Sequence, residues 1–107
     1  MNRKLILTAA ISLTAMAALF AETKPKPDNK PKGGYVPDAA TAIKIAVAVW
    51  TPMYGEEQIA SEKPYRATLS NGVWFVEGSL TTNYVGGVAE AEIARDDGRI
   101  LRVIHGQ

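Results

Sequence analysis

The sequence predicts an α+β domain in which one N-terminal amphipathic helix packs on a curved antiparallel sheet of about four strands. Three observations predict it. From Asp38 to Met53 apolar residues recur at helical spacing behind an acidic cap. Two turn signatures, Asn71-Gly72 and Asp96-Asp97-Gly98, each separate runs of strand-like composition. Before the second turn, Ala89, Ala91 and Ile93 alternate with Glu90 and Glu92, the period-two pattern of a half-buried strand with its carboxylates in water.

The chain begins with a different kind of segment. Met1 to Lys4 is a short basic start, Leu5 to Phe20 is a run of apolar and small residues, and Ala21 is a small residue before Glu22. Residues 1–21 therefore read as a secretory signal peptide. A membrane anchor would need about 20 apolar residues, more than this run supplies. The chain has no cysteine, so neither a lipid anchor nor a disulfide is available to it. The mature product is expected to be soluble, periplasmic or secreted, with no stable membrane insertion. Once Arg3 and Lys4 are removed, ten basic residues face eleven acids. A near-neutral balance does not imply a nucleic-acid partner.

Residues 22–34 form a Lys/Pro-rich linker. Alternating Lys and Pro favours an extended, solvated spacer, and nothing in it can anchor a core. Its four lysines would also attract an anionic envelope surface, an effect that salt screens.

The domain proper is residues 35–107. Asp38 caps the helix; Ala42, Ile43, Ala46, Val49, Trp50 and Met53 form its apolar stripe, with Lys44 and Thr51 off it. Pro52 is expected to kink or end the regular helix near Trp50, and Gly55 to stop it. Trp50 and Tyr54 suit packing on a sheet better than lining a cofactor pocket. Glu56 to Pro64 reads as a polar connection. Tyr65 to Leu69 and Val73 to Leu80 read as strands joined at Asn71-Gly72, with Trp74, Val76 and Leu80 on one face and Gly78 marking a bend or a close approach. Thr81 to Gly87 is a turn region. In the last strand Leu101 and Val103 alternate with Ile100, Arg102 and Ile104, which leaves its register open.

The inventory for chemistry is thin. With no thiol and with His105 as the sole histidine, neither a Cys/His pair nor a well-supported serine triad can be assembled. One imidazole does not make a metal site. Glu90 and Glu92 lie on a predicted solvent face with nothing to raise a pKa, and Gly86-Gly87 lacks the spacing of a phosphate cradle. The sequence therefore suggests neither an enzyme nor a cofactor.

A resemblance covers nearly the whole domain. Val36-Pro37-Asp38, Ala42-Ile43, Trp50-Thr51-Pro52-Met53-Tyr54-Gly55, Lys63-Pro64-Tyr65, Val73 to Leu80, Gly86-Gly87 and Asp97-Gly98-Arg99-Ile100-Leu101 running into His105-Gly106 together resemble the bacterial immunity proteins with the nuclear transport factor two fold. The resemblance implies a cone-like domain with a curved sheet wrapped on helix, and a role in neutralising a protein toxin or effector of the cell envelope by occluding it. Two other classes stay open: a small exported inhibitor of the peptidase-propeptide type, and a ligand-binding cone. The residues best suited to a partner surface are Tyr54 at the helix end, Tyr84 in the turn region, and Glu90 and Glu92, since exposed aromatics give contact area and acids steer a basic partner.

Overall fold

The computed structural model describes residues 27–80 and 86–106. The signal-peptide reading, the part of the linker before Pro27, and Tyr84 lie outside the described residues. Helix α1 spans Ala39–Tyr54, a short α2 spans Glu56–Ala60, and four strands follow: β1 Arg66–Ser70, β2 Val73–Glu77, β3 Ala89–Ala94 and β4 Ile100–His105. The strands form one antiparallel sheet in the order β1-β2-β3-β4. A long helix against a curved, open, four-stranded antiparallel sheet is the α+β architecture the sequence predicts.

Asp38 starts α1 as expected, its carboxylate accepting from the Thr41 backbone N–H at 2.8 Å and the Thr41 hydroxyl at 2.6 Å. The helix does not end near Trp50. It continues through Pro52 to Tyr54, because a proline in the last turn removes one late backbone bond and leaves the rest of the ladder intact. Thr51 Oγ1 donates to the Val47 carbonyl at 2.7 Å, and the Gly55 N–H closes the end on the Thr51 carbonyl.

Ala42, Ala46 and Trp50 are the fully buried line of α1. One small alanine at each of two successive turns lets the helix backbone approach the sheet, and Trp50 fills the position one turn further on. Met53 does not belong to this line: it is 55% exposed, because the rotation that buries Trp50 turns residue 53 outward.

The segment from Glu56 to Pro64 is not simply a polar connection. Five of its residues form α2, and Ile59 and Glu62 are both buried. So short a helix leaves no periodic signature in sequence.

Asn71 and Gly72 both take positive φ, 50° and 76°, which makes the β1–β2 turn the two-residue type that matches strand twist. Strand β2 ends at Glu77, so Leu80 leaves the sheet face assigned to it and is 61% exposed. The cause is Gly78, which marks a close approach: a Cβ there would lie 2.6 Å from Glu62 Oε1 and 2.8 Å from Glu62 Cβ. The register Ala67↔Val76↔Ala91↔Val103 carries the helix-facing row across all four strands, with an irregularity between Glu92 and Ile93 where β4 gains a residue. Trp74 anchors the entry segment by donating to the Val36 carbonyl at 2.7 Å. Upstream, Tyr35 and Val36 donate their N–H groups to the Asp96 and Arg95 carbonyls, and Lys30 pairs with Asp96 at 2.7 Å. The chain thus enters the domain against the β3–β4 turn.

Candidate functional site

Because side chains alternate along a strand, the sheet face turned away from α1 is assembled by the same register that builds the core. Across one row stand Arg66, Glu77, Glu90 and Ile104; across the next stand Thr68, Phe75, Glu92 and Arg102. Phe75 is 44% exposed in the middle of this face. Two ion pairs tie the edge strands to the centre, Arg66 to Glu77 at 2.7 Å and Arg102 to Glu92 at 3.6 Å. Glu90 stands directly opposite Glu77, a like-charge cross-strand pair that works against the sheet. These residues, Arg66 excepted, line a hollow of about 220 Å³. That is below the roughly 300 Å³ at which small-molecule pockets begin, so it suits a protruding side chain better than a cofactor.

A second polar constellation sits on the opposite side of the sheet. Glu62 is 2% exposed and accepts from three donors: the Ala89 N–H at 2.6 Å, His105 Nε2 at 2.9 Å and Gln58 Nε2 at 3.0 Å. Its own carbonyl accepts the Ser79 N–H at 2.7 Å. Burial would raise the Glu62 carboxyl, but the hydrogen bonds from Gln58, Ala89 and His105 outweigh it and hold the group below the usual carboxylate range. The Tyr54 ring lies 5.0 Å from the His105 ring at a tilt of 60°. A Glu–His pair is a familiar acid–base couple, yet here both imidazole nitrogens face protein acceptors, so neither is directed at a substrate.

The residues singled out from sequence are thereby separated. Glu90 and Glu92 share the open face. Tyr54 is half-buried on the helix side, against His105, and Tyr84 lies outside the described residues. Sequence reasoning missed Phe75, Glu77 and Arg102 on the open face, although the alternation that placed Glu90 and Glu92 there extends to both neighbouring strands. It also missed Glu62, which no local signal marks. Among the described residues no group of three or more His, Cys, Asp or Glu side chains is placed to hold a metal ion, and no helix is long and apolar enough to cross a membrane.

Comparison with known proteins adds two findings. The sequence profile of a family described as "NTF2 fold immunity protein" matches residues 41–107. The chain is also similar to the "Uncharacterized protein YhhH" of Escherichia coli (strain K12), with 37% identity over 73 residues, covering 67% of this chain and 58% of that protein. The chain thus spans little more than half the length of that relative. No solved structure matches it.

Proposed function

The chain belongs to the NTF2 fold immunity protein family, and from that premise we propose that it is an exported immunity protein that neutralises a bacterial protein toxin or effector of the cell envelope by binding and occluding it. The observation that carries this reading is the open sheet face. It presents Phe75 among Glu77, Glu90, Glu92 and Arg102, a mixture of exposed aromatic and charged groups that suits a protein surface. The space between α1 and the sheet is filled by Trp50, Trp74, Val76 and Ile93, all buried, which favours binding on the outside of the domain over a ligand held within a cone. The His105 nitrogens are both engaged and the chain has no thiol, which favours stoichiometric binding over turnover. Export to the periplasm or beyond is supported by the basic start and apolar run of residues 1–21. It places the partner in the envelope or in transit through it.

The test is rescue from a toxin encoded beside this gene, expressed in the envelope of a sensitive host with and without the chain. The expected result is survival together with a stoichiometric complex on pull-down. Rescue without any complex, or failure of a folded, exported chain to rescue, overturns the reading.

A further inference from the structure

The Glu62–His105 pair carries an inference separate from partner binding. His105 Nε2 lies 2.9 Å from Glu62 Oε2, and Nδ1 lies 2.9 Å from the Gly106 carbonyl. A neutral imidazole has one N–H and can satisfy one of these acceptors; an imidazolium satisfies both. Glu62 in turn receives only donors, from Gln58 of α2, from Ala89 at the start of β3 and from His105 at the end of β4. The side chains are 3% and 18% exposed, so water is a poor substitute for either partner. We propose that this pair is a proton-operated latch: His105 is charged in the folded protein and bonds Glu62 and the Gly106 carbonyl at once, and loss of its proton costs one of these two bonds and loosens the hold of the end of β4 on the connection between α2 and β1.

The surroundings are consistent with a charged ring. Tyr54, from α1, places its aromatic ring 5.0 Å away at a tilt of 60° and brings no positive charge to the imidazole. From β3 the facing residue is Ala89, which carries no charge. Tyr65, beyond Glu62, directs its hydroxyl to the Ile59 carbonyl. Burial pushes the imidazole down, but its hydrogen bonds to Glu62 and to Gly106 overcome this and set it above the ordinary histidine range. The direction fixes the sign. A raised histidine contributes stability fully present below its ordinary value of about 6.5 and lost as pH rises through the higher folded value. Glu62, being lowered, contributes stability present above the ordinary carboxylate value and lost as pH falls through its folded one. The latch is therefore closed in mildly acidic surroundings and opens on the alkaline side.

Since β4 also carries Arg102 and Ile104 on the open face, opening the latch would weaken the proposed partner surface. That consequence rests on the reading of that face as the binding surface.

His105 is the only histidine, so its ring resonances are unambiguous in NMR spectra of the full chain. The expected result is a titration midpoint above about 6.5, with the amides of Ala89 and Gly106 moving at the same midpoint. Melting temperature should fall by several degrees between about pH 6 and about pH 9 in the wild type. It should stay flat over that interval in His105→Gln, which keeps an N–H-donating nitrogen and does not titrate. A midpoint at or below about 6.5, or a His105→Gln variant that loses stability as the wild type does, overturns the latch. If His105→Gln fails to fold, the wild-type NMR midpoint decides alone. These measurements need no partner, so they stand or fall separately from the toxin rescue. Affinity for the rescued toxin, read across the same pH step, should fall; a constant affinity while His105 titrates overturns the coupling to the open face.

Discussion

The two faces of one sheet are built from the same strands and obey different rules. On the covered face Trp74, Val76, Ala89, Ala91 and Ile93 are all buried against α1, and the polar groups at its margin, Glu62 and His105, have partners for every donor and acceptor they direct inward. On the open face, one residue away along each strand, Glu77 stands opposite Glu90 and Phe75 is 44% exposed. The first arrangement is what folding demands. The second carries a like-charge pair and an exposed aromatic ring that folding does not ask for, and such local violations gather where a surface has another use.

The contrast breaks if the faces prove equally important to stability. Trp50→Ala is the largest expected effect. Its side chain is fully buried, and removing an indole from a core costs about 3–5 kcal/mol. Phe75→Ala, at a comparably central place on the other face, should cost no more than about 1 kcal/mol. Urea unfolding of the two variants with unchanged slope makes the comparison; similar midpoints would show that the open face belongs to the core in solution.

Next in size is Gly78→Ala. A methyl group there meets Glu62 at 2.6 and 2.8 Å, so the buried carboxylate or the β2 end must shift, an overpacking change of about 1–3 kcal/mol. The shift should also move the His105 ring resonances, since Glu62 holds that ring. A variant as stable as wild type with an unperturbed His105 would mean that the approach at Gly78 is looser than 2.6 Å.

How far the sequence could be read divides along the same line. The Asp38 cap, the Asn71-Gly72 turn and the alternation of Ala89 to Ile93 are local: each signal lies within a few residues, and each predicted element is found where expected. Pro52 misled because its effect depends on its distance from the helix end, which propensity alone does not contain. Met53 misled because it lies at the rim of the apolar stripe, where helical spacing alone does not say which residues are covered. The open face was half legible. Glu90 and Glu92 followed from alternation, while Phe75, Glu77 and Arg102 needed the register that sets them beside those acids. Glu62 was not legible at all. Its partners Ala89 and His105 are 27 and 43 residues away, and in sequence it is one acid among several in a polar stretch.

Glu90→Lys is the smallest expected effect on stability and the sharpest on function. It replaces the like-charge pair with Glu77 by an opposite-charge one, a gain of about 0.2–1 kcal/mol in a cross-strand setting, partly offset because Arg66 already pairs with Glu77 and Arg102 is nearby. The hydrogen bond that Trp50 Nε1 makes at this position, 3.3 Å long, goes to the Glu90 carbonyl and so survives the change. The melting temperature should therefore hold or rise slightly. If the open face receives a basic segment of a toxin, the same substitution places a positive charge where that segment docks, and affinity should fall on the order of tenfold, or about 1.4 kcal/mol. Stability and binding then move in opposite directions, which a merely structural residue cannot produce. Calorimetric melting paired with titration of the partner checks both at once. A variant that loses more than about 1 kcal/mol of stability while binding undiminished would return Glu90 to the scaffold and remove the open face from consideration as the binding surface.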